Sequence, residues 1–258
     1  MLFNMKKIFF IICLIFLYIA YSLAIPQKGK VGLKHTISAH KTYKGQSYDT
    51  YTVGYPEKMI KMYWKNTDNN HLLSINNLKT MLEKKGGQLL FATNAGMYTT
   101  ENSPKGLFIE NKKEIVHIDL KHREGTNFYI EPNGVFLLTK SKARVVVSAD
   151  FKMYKDSTLY ATQSGPMLVY NGKINEHFTQ GSLNLNIRSG VGVDVNGKVV
   201  FAISNGFVNF YDFAELFKNE LGCPNALFLD GAISRMYLPE LKRYDLGGDF
   251  GAMIAVVE

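Results

Sequence analysis

The sequence predicts a single α+β domain, mainly antiparallel β-sheet with a few flanking helices. Three observations predict it. Short runs rich in Tyr, Thr, Val and Ile recur along the chain between turn residues. Three Asn-Gly pairs, Asn133-Gly134, Asn171-Gly172 and Asn196-Gly197, sit between apolar runs, a strong short-range hairpin signal. Two stretches, in contrast, carry the apolar period of a helix.

The elements follow in order. Lys6 and Lys7 precede a continuous apolar run, Ile8 to Ala20, and Ser22-Leu23-Ala24 offers small residues where a signal peptidase cuts. Residues 1–24 therefore read as a signal peptide, which implies export to the periplasm, the cell envelope or the medium. The apolar run is shorter than the ~20 residues of a membrane-spanning helix, so no transmembrane anchor is expected after cleavage. The domain then occupies residues 25–258. Cys13 is lost with the leader and Cys223 remains, so no intramolecular disulfide is expected; Cys223 reads as a small apolar filler.

Tyr48 to Tyr55 and Lys58 to Trp64 read as strands. Whether the segment from Leu33 to Lys65 joins the core sheet or adds to its edge stays open at this level. Ser74 to Lys85 is the first helix, with Ser74 as N-cap, a stripe of Leu78, Met81 and Leu82, and Gly86-Gly87 ending it. Leu89 to Thr93 is a buried strand. The second helix, Phe210 to Leu221, has Asn209 as cap and places Phe210, Phe213, Phe217 and Leu221 on one core-facing side. Ala226 to Leu229 is a short apolar strand that delivers Asp230 onto Gly231.

The formal charge is +8, falling to +6 without Lys6 and Lys7, and the positive residues are dispersed. No block resembles a nucleic-acid arm, and nucleic acid is not expected as a partner; a mild positive field suits an anionic substrate. The six His lack zinc-ligand spacing, and neither a phosphate loop, a dinucleotide fingerprint nor a Gly-x-Ser-x-Gly elbow is present. No cofactor and no metal site are called for, although hard-cation binding by Asp230, Asp194 and Asn side chains stays open.

Several strands end in a polar residue beside glycine. Asn94 precedes Ala95 and Gly96; Gln163 and Ser164 precede Gly165-Pro166; Arg188 and Ser189 open a strand with Gly190 and Gly192 at alternate positions; Asn205 precedes Gly206; and Asp230 precedes Gly231. Glycine permits close approach of a ligand or another backbone. Asp230 has two readings, a turn capped through its own carboxylate or a site carboxylate at the tip of a buried strand. Asp194, just before Asn196-Gly197, reads as a turn residue. The side chains of Asn94, Gln163 and Asn205 offer paired donors and acceptors for hydroxyls, and Arg188 offers a fork matched to phosphate.

The ordered motifs Asn-Ala-Gly, Gln-Ser-Gly-Pro-Met-Leu-Val, Arg-Ser-Gly-Val-Gly-Val-Asp, Val-Phe-Ala-Ile-Ser-Asn-Gly and Ala-Leu-Phe-Leu-Asp-Gly-Ala-Ile-Ser resemble the phosphodiester glycosidase family. The likeness is strongest over residues 89–258. Carried over, the family's glycine-flanked polar positions fall on Asn94, Gly96, Gln163, Ser164, Gly165, Arg188, Asp230, Gly231 and Ser234. The sequence departs from the family at Ala232, where a second glycine is usual, and at Ile233, which delays the hydroxyl to Ser234.

The resemblance implies an exported hydrolase cleaving the bond between an anomeric carbon and a phosphate oxygen in an envelope or extracellular glycan. A phosphate leaves as a stable anion, so the usual pair of catalytic carboxylates can be reduced. Asp230 is then the nucleophile or the base that activates water, and Arg188 holds the departing phosphate. Asn94, Gln163 and Asn205 orient the sugar, with Gly96, Ser164, Gly165, Gly231 and Ser234 completing the substrate site. The alternative is a non-catalytic factor that binds or processes envelope glycan or exopolysaccharide.

Overall fold

The apolar and β-branched runs form strands throughout the computed structural model, which describes residues 36–56, 59–123, 125–230 and 233–258. The chain begins with β1 (Thr36–Tyr43), β2 (Gln46–Val53) and β3 (Ile60–Tyr63), followed by helix α1 (Ile75–Lys84) and β4 (Leu89–Asn94). Two hairpins follow, β5 (Phe108–Glu110) with β6 (Lys113–Val116), then β7 (Gly134–Leu138) with β8 (Ala143–Val147). Next come β9 (Tyr160–Ser164), β10 (Met167–Tyr170), β11 (Lys173–Ile174), β12 (Ser189–Val193) and β13 (Val199–Ser204). Helix α2 (Phe210–Glu215) leads to β14 (Asn225–Phe228), and β15 (Met236–Leu238), β16 (Arg243–Tyr244) and β17 (Met253–Val257) complete the order.

The described strands form three sheets with antiparallel pairing, as the α+β reading expects. The first runs β1-β2-β13-β12-β14-β10-β11, the second β16-β15-β4-β17-β3 and the third β6-β5-β9-β7-β8. The early segment left open by the sequence is thereby divided: β1 is an edge, β2 is interior to the first sheet, and β3 is an edge of the second.

Alternation of side chains along each strand separates the cores. Val191, Phe201, Ile203 and Leu229 of the first sheet meet Phe91, Met236 and Ile254 of the second and Phe108 and Phe136 of the third in one central core. On the first sheet's other face, Val200, Ala202 and Phe228 pack against Phe210, Phe213 and Phe217, so the Phe stripe is core as expected. Ile75, Leu78 and Leu82 of α1 cover Ala92, Met253 and Ala255 of the second sheet.

Local chemistry explains most boundaries. The Ser74 hydroxyl accepts from the Asn77 amide at 3.2 Å, capping α1. Asn209 Oδ1 accepts from the Asp212 amide at 2.8 Å and its Nδ2 donates back to the Asp212 carboxylate at 2.8 Å. Beyond Glu215 the second helix widens into a π-helical turn, Leu216–Glu220, so the stretch expected as one α-helix has two parts.

Asn171-Gly172 forms the tight β10–β11 turn with both residues at positive φ, and Asn196-Gly197 lies in the β12–β13 turn. There the Asp194 carboxylate accepts the amides of Asn196 and Lys198 at 2.9 and 2.8 Å, which makes it the turn residue expected. The third pair is not a hairpin. Gly134 opens β7, whose partners β8 and β9 both follow it in sequence, and the glycine is needed because a Cβ there would meet Met167 Cγ at 2.8 Å.

His35–Glu258 forms one compact unit. The signal-peptide reading of residues 1–24 lies outside the described residues, and among those described no helix is long and apolar enough to cross a membrane.

Candidate functional site

Register brings a set of polar residues to one end of the first sheet. His40, Asp49, Ile203 and Ser189 align across β1, β2, β13 and β12, and the Leu229 amide donates to the Ser189 carbonyl at 3.0 Å on the β14 side. Asp230 therefore leaves the sheet beside Ser189, as an interior residue only 6 % exposed. The ends of the other sheets meet this edge. Asn94, at the tip of β4, accepts a hydrogen bond from the Ser189 hydroxyl at 3.2 Å. The Ser164 hydroxyl at the end of β9 donates to the Leu229 carbonyl at 3.2 Å.

Hydroxyls hold Asp230, Ser234 and Arg235 to their neighbours. Ser234 Oγ lies 3.0 Å from the Asp230 carbonyl and 3.2 Å from the Ile187 carbonyl, bridging the turn to the entry of β12. Asn94 Oδ1 also accepts the Arg235 amide at 3.1 Å, and Thr93 Oγ1 donates to the Arg235 carbonyl at 2.8 Å. Tyr98 lies half-buried close by; burial, reinforced by the Asp230 and Asp249 carboxylates, pushes its phenol up to about 12. That phenol stays protonated at neutral pH and can donate a hydrogen bond.

The expected site residues thus separate. Asn94, Asp230 and Ser234 come together, with Ser164 behind them. The Gln163 amide is committed to protein: its Oε1 accepts the amides of Leu107 and Asp119, each at 2.9 Å, and its Nε2 donates to the Asp119 carbonyl at 2.6 Å and Ser148 Oγ at 3.1 Å. Gly96 and Gly165 are glycine for backbone approach, since a Cβ at Gly96 would be driven into the Gln163 carbonyl and one at Gly165 into the Phe128 carbonyl.

Arg188 is 1 % exposed and faces the helix side of the first sheet. Its Nε donates to the Val208 carbonyl at 2.9 Å, Nη2 to the Asn184 carbonyl at 2.9 Å, and the guanidinium lies 3.6 Å from the Phe210 ring centre. Burial pushes its pKa down to about 10, which leaves it charged at neutral pH.

Asn205 belongs to an adjoining network. It donates to Asp49 at 3.2 Å and accepts from Arg243 Nη1 at 2.6 Å, while Arg243 also binds Asp49 at 2.8 Å and, through Nε, Asp245 at 2.8 Å. Burial alone would raise the Asp49 carboxyl, but hydrogen bonds from Arg243, Asn205 and His40 together with the Arg243 charge hold it below the usual carboxylate value. Gly231 and Ala232 lie outside the described residues.

Among the described residues no group of three His, Cys, Asp or Glu side chains could hold a metal ion. A groove of about 590 Å³ opens elsewhere, lined by residues including His122, Glu131, Asn133, Tyr170 and His177, and contains none of the expected site residues.

The same order of motifs that meets at this edge matches the family model described as phosphodiester glycosidase over residues 87–250. The chain belongs to the phosphodiester glycosidase family. It is 38 % identical over 188 residues to the YigE protein of Escherichia coli (strain K12), a match covering 73 % of each chain.

Among solved structures it is similar to the zebrafish N-acetylglucosamine-1-phosphodiester alpha-N-acetylglucosaminidase catalytic domain auto-inhibited by its pro-peptide. The TM-score is 0.60 at 15 % identity, over 86 % of this chain and 81 % of that one. A hypothetical protein from Synechocystis matches with TM-score 0.55 and 14 % identity over 85 % of this chain and 61 % of the other. A Burkholderia pseudomallei K96243 protein described as exported matches with TM-score 0.52 and 10 % identity over 82 % and 74 %. At these identities the structures share the fold.

For this phosphodiester glycosidase family member, the sequence reading names Ser189 without a role and passes over Tyr98, Arg235 and the Asp49–Arg243 network. A role for Ser189 was within reach, because alternation sets it opposite Arg188 and Gly190; if those face a helix, Ser189 faces the other sheets. Arg243 and Asp49 are 194 residues apart, and nothing local links them.

Proposed function

We propose that this protein is an exported hydrolase that cleaves the bond between an anomeric carbon and a phosphate oxygen in a sugar-1-phosphodiester. Family membership supplies the reaction class. The observation that carries the reading is the convergence of Asn94, Ser189, Ser234 and the Asp230 turn where the sheets' ends meet.

In the reaction, a water oxygen bonds to the anomeric carbon as the bond from that carbon to the phosphate oxygen breaks, and the bonding pair leaves with the phosphate monoester. Asp230 takes the water proton as general base, or attacks the carbon itself and is released by water in a second step. The leaving group is a stable anion, so little proton donation is needed. Asn94 Nδ2 and the Ser189 hydroxyl orient sugar hydroxyls, and the protonated Tyr98 phenol faces developing charge.

An exported enzyme of this kind would act on phosphodiester-linked sugars of envelope or extracellular glycans. The test is hydrolysis of N-acetylglucosamine 1-(methyl phosphate) followed by release of free sugar. Asp230→Asn should lower kcat/KM at least about 10³-fold with little change in Tm. Turnover near the wild-type rate by that variant would overturn the assignment.

A further inference from the structure

We propose that Arg235 is the residue that recognises the substrate phosphate, an inference that rests on the hydrolase reading of the same site. Three arginines lie at this end of the sheets. Arg188 is buried against the Val208 and Asn184 carbonyls and the Phe210 ring. Arg243 is neutralised by Asp49 and Asp245 at 2.8 Å each. Arg235 is exposed, and its guanidinium makes one hydrogen bond among the described residues, Nη1 to the Ser234 carbonyl at 3.2 Å. Of the three, it alone is both exposed and without a carboxylate partner among the described residues.

Its backbone is held as firmly as its side chain is open. The amide is fixed on Asn94 Oδ1 and the carbonyl on Thr93 Oγ1, so the Cα is anchored to β4 at the site. Ser234 before it and Met236 after it are both buried, which turns the Arg235 side chain outward to solvent. A phosphodiester entering beside the Asp230 carboxylate meets like charge, and a fork with two parallel donors offsets that repulsion while matching two non-bridging oxygens. The cation is exposed before binding, so its full effect appears when substrate excludes water from the pair.

The experiment measures one reaction and its inhibition by two ligands. Arg235→Gln should lower kcat/KM for N-acetylglucosamine 1-(methyl phosphate) about 10–100-fold and weaken inhibition by inorganic phosphate by a similar factor. Inhibition by free N-acetylglucosamine and the Tm should stay as in wild type. Arg235→Lys should recover part of the phosphate effect, as a point charge without the fork.

Phosphate inhibition and kcat/KM within twofold of wild type in Arg235→Gln would overturn the proposal, as would equal loss of sugar and phosphate inhibition with a lowered Tm. If the wild type cleaves no sugar phosphodiester, calorimetry with inorganic phosphate decides separately. Binding lost in Arg235→Gln and kept in Asp230→Asn supports the anion site while the hydrolase reading fails. Absence of phosphate binding by the wild type overturns it.

Discussion

Arg188 and Asp230 carry opposite charges at neighbouring strand ends, and the fold treats them differently. Asp230 emerges on the turn shared with Ser234, next to Asn94 and Ser189. Arg188 points to the opposite face, where its guanidinium donates to the Val208 and Asn184 carbonyls and lies over the Phe210 ring. Arg188→Met should therefore cost about 1–3 kcal/mol in stability, because the fold loses two charge-assisted hydrogen bonds and the contact of the cation with the Phe210 ring. Urea unfolding checks this. Unchanged stability together with a fall in turnover would instead place Arg188 on the substrate.

Strand β12 shows how one element serves three purposes at once. Ser189 faces the site, Val191 the central core, and Gly190 and Gly192 the second helix and its π-helical turn. The sequence reads these glycines as places of close approach, and the approaching groups are Phe217 and Cys223. A Cβ at Gly192 would meet Cys223 Sγ at 2.7 Å and Phe217 Cδ1 at 3.0 Å. Gly192→Ala should destabilise by about 1–3 kcal/mol through overpacking. Adding Cys223→Ala should return part of that loss, read as a favourable coupling in a double-mutant cycle by chemical denaturation. Additive effects would show that the helix end, and not the sulfur, sets the fit. The same packing buries Cys223, and burial pushes its thiol up to about 12, so the thiol stays protonated at neutral pH.

At the scale of the molecule, polar contacts staple sheets that the apolar core brings together. Asp49 of the first sheet and Arg243 of the second form an ion pair with both side chains largely buried. The Asp49 carboxyl is held below its ordinary value, so its contribution to stability is fully present above the unfolded carboxylate pKa of about 3.9 and is lost as pH falls through the folded value. Acid unfolding of the wild type should steepen below about pH 4, and Asp49→Asn should flatten that dependence while lowering stability at neutral pH. Parallel pH–stability curves for the two proteins would show that the pair does not contribute.

By itself the sequence determined the class, the two helices with their Ser74 and Asn209 caps, two of the three Asn-Gly turns, and the family through its ordered motifs. These signals are local: a cap, a turn or an apolar period is complete within a few residues. Only the tertiary structure decided which polar strand ends come together. The side chains of Gln163 and Asn94 look equivalent in sequence, yet one fills the hydrogen-bonding needs of the Leu107 and Asp119 backbone and the other meets Ser189 of a different sheet. Arg188, whose motif implies a fork for phosphate, turns to the helix side of the first sheet for the same reason. A side chain's direction at a strand end is fixed by the sheet packed against it, and that partner lies far away in the chain.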